Sequence, residues 1–184
     1  MTIAQTRMPL PGTLLALLLL AVGCGASDTS QAPSRSTSSS PDTAAATGPS
    51  KAAALVCSYE AAEDIEGALG VSTTEPPKAV WSDHVNSCSY RYPSGTIRLS
   101  VEDLPDASAV TASFSAAQAA ERASPLPGMG EQAFSVADGS VFVRKDLTVL
   151  HVDVSALPAR LGTRTRSQVA RTVATTVLIC WKEQ

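Results

Sequence analysis

A change of hydrophobic period at residue 88 limits what this chain can fold into more than any other feature of its sequence. Cys88, Tyr90 and Tyr92 alternate with Ser87, Ser89 and Arg91. After Pro93-Ser94-Gly95, Ile97, Leu99 and Val101 alternate with Arg98, Ser100 and Glu102. Alternation of this kind sends one set of side chains to one face of a pleated strand and the other set to the opposite face. With a Pro-Ser-Gly turn between the two runs, they must fold back as an antiparallel hairpin with one apolar and one polar face. The same signal returns downstream. Asp138-Gly139 marks a tight turn between 133–136 and 140–144, and Lys145-Asp146 marks another before 147–154. In that last run Leu150, Val152 and Val154 face one way and His151 and Asp153 the other. About five strands in two antiparallel groups are expected.

Three helical segments flank them. Ser58 is a candidate N-cap, Ala61, Ala62, Ile65, Ala68 and Leu69 recur at helical spacing, and Gly70 is a candidate stop. Pro105-Asp106 opens a second helix reaching about residue 123, with Val110, Phe114 and Ala117 on one side. Val169, Val173, Val177 and Cys180 form the stripe of a closing helix, which points Cys180 inward. Residues 71–85, with Pro76-Pro77, read as a loop, and so do 158–165. Pro125-Leu126-Pro127-Gly128-Met129-Gly130 reads as a structural turn, because no Gly-Lys-Ser/Thr follows to make a phosphate loop. The expected class is therefore α+β, an antiparallel sheet packed with N-terminal, middle and C-terminal helices in a single domain over 52–184.

Upstream of the domain the chain changes character. Arg7, the apolar run 14–22 and small Gly23 have the layout of an export signal, and nine apolar residues are too few to span a bilayer. Ala21-Val22-Gly23-Cys24 resembles the lipobox of bacterial lipoproteins. That resemblance implies cleavage after Gly23, so that 1–23 is a signal peptide, and diacylglyceryl transfer to the Cys24 thiol. A lipidated Cys24 would hold the protein at the extracytoplasmic face of the cell membrane. More than one acyl chain, each buried CH₂ contributing about 0.8 kcal/mol, makes such an anchor lasting. Residues 25–51 are rich in Ser, Thr, Ala and Pro and lack the apolar side chains that could offset the entropy of ordering them. They read as a tether with a root-mean-square reach of about 30 Å.

The net charge is −3 and the basic residues form no stripe along the chain, which argues against nucleic acid and anionic headgroups as partners. No Cys or His spacing suggests a metal or a thioredoxin-type centre, and no cofactor motif is present. The remaining cysteines, Cys57, Cys88 and Cys180, would face an oxidising compartment. Of the three pairings they allow, Cys57–Cys88 is expected, joining the start of the first helix to the first strand. Cys180 is then a buried thiol. The bases available for catalysis are His84 beside Asp83 and His151 two residues from Asp153. Neighbours on a strand face opposite ways, which separates the first pair, and no Gly-x-Ser-x-Gly elbow accompanies the second. An ordinary exposed strand position is the reading for His151, and no catalytic residue is assigned.

Cys57-Ser58, Ala68-Leu69-Gly70, Cys88-Ser89-Tyr90 and Pro127-Gly128-Met129-Gly130-Glu131-Gln132-Ala133 together resemble small actinobacterial lipoproteins whose domains have no assigned function. The resemblance spans about 54–182. It implies a helix-flanked antiparallel sheet, in the manner of the PsbP-type α/β/α sandwich, and no catalytic residues. The expected role is a non-enzymatic module that binds an envelope protein or a small ligand. The alternatives are a carrier of a hydrophobic ligand and an envelope hydrolase using His151 and Asp153.

Overall fold

The computed structural model describes residues 48–182, so Cys24 and most of the expected tether lie outside the described residues. Four helices, α1 (Lys51–Leu55), α2 (Tyr59–Leu69), α3 (Ala107–Ala120) and α4 (Arg166–Cys180), surround one large sheet. Its strands are β1 (Val80–Ser82), β2 (Val85–Tyr92), β3 (Gly95–Asp103), β4 (Ser124–Pro125), β5 (Gln132–Ser135), β6 (Val141–Lys145) and β7 (Thr148–Asp153). They run in the order β1-β2-β3-β7-β6-β5-β4, every neighbouring pair antiparallel. A separate two-stranded ribbon, β8 (Arg160–Leu161) and β9 (Arg164–Thr165), leads into α4.

Local chemistry sets the helix ends. The Ser58 hydroxyl accepts from the Ala61 amide at 3.1 Å, and Gly70 closes α2 in the left-handed region at φ 68°. Arg164 donates to the Ala68 and Leu69 carbonyls, placing a cation on the negative end of that helix. The Asp106 carboxylate caps α3 through the Ser108 and Ala109 amides. Thr165 and Gln168 form a reciprocal capping box on α4.

The sheet has helices on both sides. On one face Ile97, Leu99, Val141, Val143, Leu150 and Val152 pack against α1, α2 and α4. On the other, α3 lays Val110 and Phe114 on Phe134 and Val149. An antiparallel sheet packed with helices is what the alternating strands and striped helices led one to expect, and helices on both of its faces were implied only by the family resemblance. The five longest strands match the five expected, while β1 and β4, two or three residues each, are too short to carry a period. Helix α1 is likewise additional: ordered contacts reach back to Ser50, ahead of the boundary expected at 51/52, because its hydroxyl caps the Ala53 amide. The Pro-Gly segment is a structural turn. Gly130 sits at φ 59°, and a Cβ there would lie 2.5 Å from Val143 Cγ1, so the backbone is pressed against β6.

Cys57 and Cys88 are joined by a disulfide, with Cα atoms 5.7 Å apart, and it ties the joint between α1 and α2 to β2. Cys180 departs from expectation. The stripe does point Val169, Val173 and Val177 into the core, but Cys180 is only half-buried, its thiol donating to the Asp64 carboxylate at 3.4 Å. The buried stripe of α4 runs through Val173, Ala174, Val177 and Leu178 to Trp181, so Trp181 takes the inward position at the end of the helix and Cys180, beside it, meets α2 instead of the core.

Candidate ligand-binding cleft

Both tryptophans of the chain line one cleft of about 560 Å³ at the end of the sheet where the described chain begins. Its walls come from four distant stretches: the start of α1, the β1–β2 turn, the β3 end with the β6–β7 turn, and the C-cap of α4. The β1–β2 turn holds Asp83 at φ 49° and His84 at φ 63°, the paired left-handed residues that a two-residue type I′ hairpin requires. Without glycine at either position, each costs about 1–2 kcal/mol. The loop expected over 71–85 holds for 71–79, and β1 with this turn corrects its end. The turn brings the His84 ring edge-on to Trp81, with centroids 6.2 Å apart.

Hydrogen bonds hold the rest of the wall. Trp81 lies opposite Asn86 in the ladder, and the buried Asn86 amide donates to the Ala53 carbonyl at 2.6 Å, locking α1 onto β2. The Trp181 indole N–H donates to the Ala52 carbonyl at 3.0 Å. Asp103 accepts from both the Ser50 amide and its hydroxyl at 2.7 Å. Leu104 and Leu147 add apolar surface, Leu147 being 44% exposed, while Lys51 and the Lys145–Asp146 ion pair stand at the rim. An open cleft of this size, mostly apolar and edged by a few polar groups, is the usual form of a small-molecule site.

The other candidate residues lie elsewhere. His84 joins the cleft, but the Asp83 carboxylate accepts from the Ser82 hydroxyl at 2.9 Å and the pair forms no acid–base couple. His151 and Asp153 do share a sheet face. His151 is, however, half-buried, its ring stacked flat on Phe142 with centroids 3.9 Å apart and planes within 8°, which corrects the exposed position expected for it. That stack continues to Phe134, which Phe114 meets edge-on. Nothing in the local pattern of β7 reveals it, since Phe142 reaches His151 only across the β6–β7 ladder. Asp153 accepts from the Ser155 amide at 2.8 Å instead of orienting the imidazole. Burial alone would raise the Asp153 pKa, but hydrogen bonds from Ser155 and the nearby His151 more than offset it and leave it lowered from 3.8.

Burial lowers the His151 pKa from 6.5, and Arg98 acts the same way, while Asp153, Asp138 and Glu121 oppose the shift. Because the folded pKa lies below the unfolded one, the native state binds fewer protons. The stabilisation is complete above about pH 6.5 and is lost as pH falls through the folded pKa. Unfolding free energy should therefore decline below about pH 6.5 with a slope of up to about 1.4 kcal/mol per unit. His151→Gln should flatten that decline. Denaturant titrations between about pH 7 and pH 5 check this, and parallel curves for the two proteins would refute it.

Among the described residues no helix is long and apolar enough to cross a membrane, and no group of three or more His, Cys, Asp or Glu side chains is placed to hold a metal ion. The fold and the cleft define a helix-flanked antiparallel α+β domain with a cleft lined by both tryptophans at one end. No family model, curated protein or solved structure matches this chain.

Proposed function

We propose that the protein is a lipid-anchored, extracytoplasmic binding module that seats a small amphipathic ligand between Trp81 and Trp181. The single observation carrying this reading is the convergence of both tryptophans, His84 and a polar rim on one open cleft. The wall is pre-organised by buried hydrogen bonds from Asn86 and Trp181 to α1, so little ordering entropy is lost when a ligand enters. Cys24, by its lipobox-like context, holds the chain at the cell membrane, and the Ser/Thr/Pro segment spaces the domain from the lipid. A non-enzymatic role is supported by the engaged state of the two possible base pairs, Asp83 on Ser82 and Asp153 on Ser155. Carriage of a more hydrophobic ligand in the same cleft is the second reading, favoured by its mostly apolar walls.

Native mass spectrometry of the full chain from its own host should detect a co-purified small molecule, and its loss in Trp81→Ala with the fold intact. A wild-type mass without ligand, together with indole fluorescence unresponsive to envelope extracts, would sink the ligand reading. Labelled fatty acid should enter the wild-type chain and not Cys24→Ala. Equal labelling of the two would remove the anchor.

A further inference from the structure

A second cleft, of about 510 Å³, lies on the sheet face that α3 leaves open, between the 71–79 segment and strands β2 and β3. Lys78, Arg91 and Arg98 line it, with Ser87 and Ser89 in its floor and Glu75 as the one carboxylate in its walls. Three cations face one acid here in a chain whose net charge is −3. The linear sequence hides this grouping, because one cation comes from a loop and the other two from separate strands. Register brings them together: Ser87, Ser89 and Arg91 share a face of β2 by period two, and Arg98 stands opposite Ser89 across the ladder.

The cleft is built, not merely charged. Its wall is fixed to β2 by the Thr74 amide, which donates to the Arg91 carbonyl at 2.7 Å, and is stiffened by Pro76 and Pro77. Glu75 reaches Arg91 Nε at 3.0 Å, showing that a carboxylate oxygen is accommodated there. Lys78 has no ion-pair partner among the described residues. The Arg98 guanidinium leans over the floor and donates to the Ser87 hydroxyl at 3.4 Å. Ser87 is only 7% exposed, yet its hydroxyl serves solely as an acceptor in that bond, so its own proton has no acceptor among the described residues. The Ser89 hydroxyl makes no hydrogen bond within the described structure either. A buried hydroxyl donor in a cleft lined by two guanidiniums and an ammonium calls for a group with several acceptor oxygens and negative charge.

We infer that this cleft is a phosphate-binding seat, separate from the tryptophan cleft, in which Arg98 and Lys78 hold the charge and Ser87 and Ser89 donate to phosphate oxygens. Phosphate of this kind occurs as the soluble ion or its monoesters and as the phosphodiester of a lipid headgroup. Calorimetric titration of the full chain in nonionic detergent, at constant ionic strength, with inorganic phosphate and with glycerophosphoglycerol, the water-soluble headgroup of phosphatidylglycerol, tests the assignment. Saturable binding of either probe is expected, weakened about tenfold or more by Arg98→Gln and by Lys78→Gln. Both side chains are exposed, so neither variant should unfold, which thermal melting verifies. Amide shifts should fall on β2 and β3 and spare Trp81. Binding of the diester alone assigns the seat to headgroups, and binding of inorganic phosphate assigns it to the soluble ion. No saturable heat with either probe, an equal response to chloride, or full affinity in both variants would overturn the proposal.

Discussion

Phe134→Ala is expected to lower the unfolding free energy by about 3–5 kcal/mol. Phe134 is fully buried at the centre of the smaller core, its ring 5.0 Å from Phe114 in an edge-on contact and 4.8 Å from Phe142 in a stacked one. Removing it takes away buried apolar area, two aromatic contacts worth about 0.5–1.5 kcal/mol each beyond that area, and the surface on which α3 rests. Phe142 then loses the support that keeps it flat beneath His151, so the acid sensitivity set by His151 burial should weaken in the same variant. Urea midpoints for the wild type, Phe134→Leu and Phe134→Ala should fall in that order. A loss below about 1 kcal/mol in the alanine variant would mean that α3 is held by something other than this core.

Replacing both Cys57 and Cys88 by alanine should cost about 3.5–4 kcal/mol, because the bridge closes a span of 31 residues whose freedom returns to the unfolded chain. The effect resides mainly in the denatured state, since the same joint is also held without the sulfurs. The Asn86 amide donates to the Ala53 carbonyl and the Tyr90 hydroxyl to the Val56 carbonyl, both at 2.6 Å. Burial pushes the Tyr90 pKa up, so its hydroxyl stays a donor. The unbridged variant should accordingly keep its native near-ultraviolet spectrum at 25 °C while melting earlier. Adding Asn86→Ala to it should be more damaging than either change alone, because the two act on one joint. Identical denaturation curves with and without reductant would contradict the predicted role of the bridge.

Much of the architecture was legible because it is written locally. Ser58 and Gly70 end a helix by capping chemistry that needs no tertiary partner, and the runs 88–92 and 97–101 alternate because one face of each strand is buried. The disulfide could be anticipated from the same elements. The elements that no local pattern reveals are short or are held by distant residues. Strand β1 has three residues and β4 two, below the length at which a period can be counted. Helix α1 is five residues long, and much of what holds it comes from Asn86 and Trp181 far along the chain. His151 looked like any polar residue on a strand, and only the adjacent strand supplies the ring that half-buries it.

By itself, the sequence determined the class of the fold and the faces of the strands and helices from spacing and capping within a few residues; the Cys57–Cys88 bridge was the expected one of three pairings, and the expected anchor at Cys24 rests on the lipobox resemblance. The tertiary structure alone decided both clefts. Trp81, Asp103, Leu147 and Trp181 meet only because the sheet runs β1-β2-β3-β7-β6 and α4 returns beside α1. Lys78, Arg91 and Arg98 converge only through the β2–β3 register and the folded-back 71–79 segment. Strand order and register are global solutions to burying one face of every element at once, and for that reason no local pattern in this chain announces its sites.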